Sequence, residues 1–161
     1  MQEIGVRKIS EVEAREVFKR LLRDHSDKLL KRFFKDAFQC EFDRIVLPEN
    51  ERSYYIALVN GCAEALFGIS ENRKQPQIWN ISSFGRIIEK DKTEEKTEGW
   101  RYLKALLDFA IIKGVRRIYA TVNDAGEKAF KELENNEGLP KNWRIKWSPA
   151  FNLKSVTLFA E

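Results

Sequence analysis

Few side chains in this sequence have the type and spacing that acid–base or nucleophilic chemistry needs. The single histidine, His25, sits in a break between two helical stretches and reads as a loop residue. Cys40 and Cys62 are far apart and have no partner at metal-ligand spacing, so both read as reduced small hydrophobes. A zinc site would have to be assembled mostly from carboxylates, and no metal is expected. Ser82 and Ser83 stand side by side on a β-rich run, where successive side chains alternate faces and one of the pair can face a cleft. Neither has a histidine nearby in sequence, which disfavours a serine nucleophile. Carboxylates remain as proton acceptors, and Glu41, Asp43 and Glu64 are the available choices. For Glu41 and Asp43, exposed loop charges are at least as good a reading. Glu41, Asp43 and Ser82 are carried forward as the catalytic candidates.

The elements that must position these residues follow from local patterning. Ile4, Val6 and Ile9 alternate imperfectly over residues Glu3 to Ile9, which predicts a first strand. Ser10 with Glu13 is a capping box for a helix carrying Val12, Val17, Leu21 and Leu22 on one face. Asp24 to Asp27 breaks it, and a second helix runs through Leu29, Leu30, Phe33, Phe34 and Ala37. Ser53 to Val59 and Cys62 to Ser70 flank Asn60-Gly61, the dipeptide of a type I′ turn, and predict an antiparallel hairpin. A polar loop, Glu71 to Gln77, leads to a long strand from Ile78 to Ile88.

Glu89 to Glu98 is highly charged, with no apolar residue, and reads as a solvated loop or helix edge that interrupts the core. From Trp100, Leu103, Leu106, Leu107, Ala110 and Ile111 recur at helical spacing up to Gly114, with Lys113 placed to complement the helix dipole. Val115 to Val122 is β-branched and predicts a strand, Ala125 to Glu134 a short helix, and Arg144 to Trp147 and Ser155 to Phe159 two closing strands. The order is β-α-α-β-β-β-α-β-α-β-β, with a right-handed crossover expected between Phe84 and Thr121.

At 161 residues, 43% hydrophobic and 34% charged, the chain is expected to be one globular domain spanning residues 1–161. No stretch reaches the roughly 20 apolar residues of a membrane span, and the first ten residues lack a hydrophobic signal core. A cytoplasmic protein is the expectation. The net charge of +4 is spread among interleaved acids and bases, against a nucleic-acid groove. The one basic cluster, Lys113, Arg116 and Arg117, reads first as a solvated rim, though it would also suit a phosphorylated cofactor or an acidic carrier protein. Trp79 and the other tryptophans read as core and cleft lining.

This element order resembles the GNAT acyltransferase superfamily: an α/β, three-layer fold with a mixed, mostly antiparallel central sheet. The resemblance implies a fourth and a fifth strand that splay apart to admit the pantetheine arm of an acyl donor. It also implies that the turn before the central helix offers backbone amides to a pyrophosphate. The family pattern there is Gln or Arg, two residues, Gly, one residue, then Gly or Ala. Here Lys96-Thr97-Glu98-Gly99-Trp100-Arg101 keeps the basic start and one glycine, but ends in Arg101 and brings Glu98 close to the phosphates. Asn123, Gly126 and Phe130 match the spacing of a second family pattern, with Phe130 in place of a tyrosine. Asn123 either holds the cofactor or caps the last helix, and capping is the safer reading.

A narrower resemblance, from Glu41 onward, is to the LuxI-type acyl-homoserine-lactone synthases, a branch of that fold. It rests on Glu41-Phe42-Asp43, on Ile78-Trp79-Asn80-Ile81-Ser82-Ser83-Phe84, on Thr121 to Lys128, and on Gly138-Leu139-Pro140. The family's Glu and Arg on the fourth strand are Asn80 and Ser83 here, its second Asp is Val46, and its hairpin Arg has Gly68 as the nearest position. What the resemblances imply is an N-acyltransferase with a small-molecule amine acceptor. The donor would be acetyl-CoA or another acyl-CoA, or an acidic acyl carrier protein. Ile81, Ser83, Phe84, Lys96, Gly99, Trp100, Arg101 and Asn123 are its expected cofactor contacts. The alternative is a binding or regulatory module that keeps the fold without the catalysis.

Overall fold

The computed structural model of the chain describes residues 3–24, 28–43, 45–87 and 97–161. Its elements are β1 (Ile4–Ile9), α1 (Glu11–Asp24), α2 (Lys28–Asp43), β2 (Asn50–Val59), β3 (Cys62–Asn72), β4 (Gln75–Arg86), α3 (Gly99–Ile112), β5 (Arg117–Val122), α4 (Asp124–Asn135), β6 (Trp143–Ala150) and β7 (Leu153–Ala160). This is the order the sequence predicts. The strands form one seven-stranded sheet in the order β1-β2-β3-β4-β5-β7-β6, antiparallel except for the parallel β4–β5 pair.

Local chemistry explains most element ends. The Glu13 amide donates to Ser10 Oγ at 3.1 Å and starts α1. Asn60 and Gly61 both take positive φ, 52° and 77°, as a type I′ turn demands. Gly114, at φ 90°, ends α3, and its amide donates to the Ile111 carbonyl at 3.0 Å. Asn123 caps α4, its Oδ1 accepting from the Gly126 amide at 3.0 Å.

Two apolar layers enclose the sheet. On one face Ala14, Phe38 and Phe42 of the first two helices pack on Ile9, Tyr54, Ile56 and Leu66. On the other, α3 and α4 bury Leu103, Leu106, Leu107, Phe130 and Leu133 against Phe67, Ile69, Trp79, Ile118 and Val156. Trp79 is core, stacked 5.2 Å from Tyr55.

Two sequence expectations are corrected here. The polar loop from Glu71 to Gln77 is instead a tight hairpin, because β3 runs on to Asn72 and β4 starts at Gln75, paired with it. The Lys74 amide donates to Asn72 Oδ1 at 2.9 Å, so polar residues close the turn. The segment Glu41-Phe42-Asp43 is the last turn of α2 rather than a loop, since Phe38, Glu41 and Phe42 continue one helical face into the core.

Gly126 sits where α4 meets β5. A Cβ there would lie 2.9 Å from Val122 Cβ, which is fixed to the strand backbone. Gly126→Ala is therefore expected to destabilise the fold by about 1 kcal/mol net, overpacking outweighing the better helix propensity. A lowered urea midpoint would show it, and an unchanged or raised midpoint would contradict it.

Candidate functional site

Strands β4 and β5 pair from Ile78–Arg117 to Ile81–Ala120 and no further. Both continue past that point, β4 to Arg86 and β5 to Val122, so they part along Ser82–Arg86. The parting begins at an irregularity on the other side of β4. Gly68 of β3 pairs with Ser83 and Ile69 with Ile81, which leaves Ser82 as an extra, bulged residue. A bulge bends its strand and re-aims side chains. Here it turns Ser82 and Ser83 toward the same side, the face covered by α2, in place of the alternation a regular strand predicts.

Both serines meet Glu41. Ser82 Oγ lies 2.8 Å from Glu41 Oε1 and 3.1 Å from the Gly68 carbonyl, and Ser83 Oγ donates to Glu41 Oε2 at 3.0 Å. Glu41 is only 2% exposed, and Arg52 of β2 supplies its counter-charge, Nε to Oε1 at 3.5 Å. Arg52 also reaches the Phe42 carbonyl and the Tyr54 hydroxyl, each at 3.4 Å. A Cβ on Gly68 would lie 3.1 Å from Glu41 Oε1 and 3.3 Å from Ser82 Oγ, so the carboxylate occupies the space a side chain would need.

A second polar cluster lies on the opposite face, at the same end of β4. β3 carries its own bulge, with Ala57 facing Ala65 and Leu58 facing Ala63, so Glu64 is the extra residue. Buried Tyr102, in the first turn of α3, donates its hydroxyl to Glu64 Oε1 at 2.6 Å. The Arg86 guanidinium lies 5.2 Å over the Tyr102 ring and donates through Nη2 to the Thr97 carbonyl at 2.6 Å. Arg86 Nη1 is buried with no hydrogen-bond partner among the described residues. Burial, and next the Glu64 hydrogen bond, push the Tyr102 phenol well above the ordinary tyrosine value. Burial does the same to Tyr55 and also raises Tyr54.

The candidates named from the sequence thus separate. Glu41, Ser82 and Ser83 come together, while Asp43 is exposed at the end of α2. Ile81 is the last β4 residue paired to β5, and Phe84 stacks on Phe67 at 4.8 Å. Gly99 opens α3, where its added Cβ would be 3.9 Å from Ala129 of α4. Glu98 accepts from the Trp100 indole at 2.5 Å, so its carboxylate has a partner within the turn. Trp100 and Arg101 line an open groove of about 480 Å³ between β1 and α3, three strands from β4. Lys96 and His25 lie outside the described residues. Asn123 is the α4 cap, and Phe130 is buried edge-on to Trp147.

Arg52, Arg86, Thr97 and Tyr102 escaped the sequence reading. A helical reading that extended α2 through Glu41 would have set a carboxylate beside Phe38 on the buried face. Nothing local marks Arg52 as its partner. The basic cluster Lys113, Arg116 and Arg117 lies at the start of β5, about 16 Å of strand from the Val122 end where β4 and β5 have parted. Among the described residues, no group of His, Cys, Asp and Glu side chains could hold a metal ion, and no helix is long and apolar enough to cross a membrane.

A seven-stranded sheet whose only parallel pair parts beside the start of the central helix is the GNAT acyltransferase fold, and the chain has that fold. The solved structures it resembles include the aminoglycoside acetyltransferase AAC(6')-Ib in complex with ribostamycin and coenzyme A, at TM-score 0.61 and 11% identity, over 99% of this chain and 94% of that one. The N-acetyltransferase PseH of Campylobacter jejuni matches at TM-score 0.55 and 13% identity, over 98% and 99% of the two chains. BjaI, a CoA-dependent acyl-homoserine lactone synthase solved with SAM and isopentyl-CoA, matches at TM-score 0.56 and 12% identity, over 100% and 84%. No protein-family model matches the sequence, and no curated protein resembles it closely enough to match.

The buried phenols give a pH signature. The unfolded chain ionises its tyrosines near pH ~10, whereas the folded phenols hold their protons higher. Their contribution to stability is complete below about pH 10 and is lost as the pH rises through the folded values. Tyr102→Phe should flatten that alkaline fall. It should also cost about 1–3 kcal/mol at pH 7, because Glu64 loses its buried donor. Thermal midpoints of both proteins between pH 7 and 11 decide it, and equal alkaline slopes would count against it.

Proposed function

We propose that this chain is an acyl-CoA-dependent N-acyltransferase whose donor lies with its pantetheine arm between the parted ends of β4 and β5. One observation carries the reading: pairing stops at Ile81–Ala120 while both strands continue, which leaves backbone groups of β4 and β5 free to bond a ligand. The first amides of α3, tied to β4 through Arg86 and Thr97, stand beside that opening and suit the donor's phosphates. The shared fold with structures solved with coenzyme A or acetyl-CoA supports the same donor.

In the reaction, the acceptor's amine nitrogen bonds to the thioester carbon, the C–S bond breaks, and the proton lost by nitrogen ends on the departing thiol. Backbone amides of Ser82–Phe84 are the groups suited to polarise the thioester carbonyl. Glu41 accepts from Ser82 and Ser83 on its two oxygens and Glu64 Oε1 accepts from Tyr102, so both carboxylates have positioning partners in this arrangement. A small amine that reaches the cleft uncharged is the acceptor this arrangement favours. Lactone synthesis is disfavoured, since Asn80, Ser83, Val46 and Gly68 replace the charged residues of the LuxI-type enzymes. Free acyl-CoA is favoured over a carrier protein, because the basic cluster lies at the far end of β5.

Phe130 favours a second reading. It stands where the family places a tyrosine, it has no hydroxyl to protonate a leaving thiolate, and it is built into the core. A module that binds the donor without turnover would have this feature.

Calorimetric titration with acetyl-CoA and with a medium-chain acyl-CoA tests both readings. Binding with a Kd on the order of micromolar is expected, weakened at least about tenfold in Gly99→Trp, whose side chain would crowd the start of α3 against Ala129. Binding without acyl transfer to any member of a broad amine panel would select the second reading. No heat with either donor would overturn the CoA site.

A further inference from the structure

We infer that Glu41 is a positioning residue, a clamp reaching from α2 that selects the bulged form of β4 and so sets the opening between β4 and β5. The inference rests on the donor site proposed above and adds the device that holds it open. Its basis is a coincidence of register. The last β4–β5 pair is Ile81–Ala120, the next β4 residue is the bulged Ser82, and Ser82 and Ser83 are the two residues that Glu41 holds.

The selectivity comes from counting hydrogen bonds. In a regular strand Ser82 and Ser83 would point to opposite faces, and only one hydroxyl could reach a carboxylate on the α2 side. With the extra residue both reach it, one on each oxygen, at 2.8 and 3.0 Å. Straightening β4 would strip one oxygen of a buried carboxylate of its serine and would turn one hydroxyl toward the apolar face under α3. Each is costly here, because Glu41 and Ser83 are buried and Ser82 is half-buried. A carboxylate suits the task because it offers two acceptors at a fixed spacing.

Two further features belong to the clamp. Arg52 reaches in from β2, its side chain 9% exposed, and sets its Nε 3.5 Å from Glu41 Oε1. Gly68, paired with Ser83, leaves the space the carboxylate fills. Three consecutive elements, α2, β2 and β3, thereby converge on one kink in β4. Asp43, exposed at the end of the same helix, takes no part.

Hydrogen exchange of the intact chain without ligand, followed residue by residue, tests the clamp directly. Ser82→Ala should raise exchange of the β4 amides from Ser82 to Arg86 by about tenfold relative to the rest of the sheet, because a strand that moves between the bulged and the regular register must break its β3 pairing each time. Glu41→Gln keeps one acceptor oxygen and should fall between Ser82→Ala and the natural protein. A purely structural role for Glu41 would instead raise exchange evenly over all seven strands. An even rise in both variants, or β4 rates equal to those of the natural protein, overturns the clamp.

Calorimetry with acetyl-CoA on the same proteins separates this inference from the one beneath it. Ser82→Ala and Glu41→Gln are each expected to weaken binding by about fivefold, roughly 1 kcal/mol. If the natural protein binds no acetyl-CoA yet the β4 exchange pattern appears, the donor site falls and the clamp stands. If all three proteins bind alike with unaltered β4 exchange, the donor site stands and the clamp falls. Should Glu41→Gln fail to fold, Ser82→Ala and Ser83→Ala, each leaving the carboxylate one serine, carry the comparison.

Discussion

One additional residue in β4 governs the arrangement of everything around the cleft. A strand that kept its period through Ser82 could continue its parallel pairing with β5, and the sheet would close. The bulge changes which backbone groups face β5 and bends the strand away. It survives because the side chains it turns inward are paired: two hydroxyls on one carboxylate, the carboxylate on a guanidinium, and a glycine that leaves them room. Unpaired, any of these groups would oppose burial by more than a typical hydrogen bond contributes.

The same end of the sheet is fixed on its other face by different chemistry. There the bulge in β3 aims Glu64 at the Tyr102 hydroxyl, and Arg86 ties the end of β4 to the Thr97 carbonyl just before α3. The start of α3 is therefore held by side-chain bonds from two strands as well as by the apolar stripe of Leu103, Leu106 and Leu107. A helix amino terminus that must stand in a set relation to a cleft needs such fixing.

The comparison with the LuxI-type synthases takes on a physical form in this light. Ser83 and Gly68 stand where charged residues are expected, yet the region is not neutral. Arg52, from the neighbouring strand β2, brings the positive charge, and Glu41, from α2, the negative one. The ion pair faces the helix layer and is spent on strand geometry. A scaffold retained while its acceptor chemistry changed would have this distribution of charge.

What the sequence determined by itself is what short-range physics controls. Asn60-Gly61 specifies its hairpin because both residues tolerate positive φ, Gly114 stops α3 for the same reason, and Asn123 caps α4 within three residues of its partner. The order of the elements followed from periodicity, and the resemblance of that order to the GNAT superfamily implied the fold. The parting of two strands was only partly legible: the resemblance implied which two, while the residue at which they part could not be named. Ser82 reads as an ordinary strand residue until the register of β3 against β4 is known, and its bond to Glu41 spans 41 positions. Glu41 reads as a surface charge until α2 is seen to continue under the sheet, and Arg52 has no local mark as its partner. Bulges and buried ion pairs are properties of contacts between elements, so only the tertiary structure could decide them.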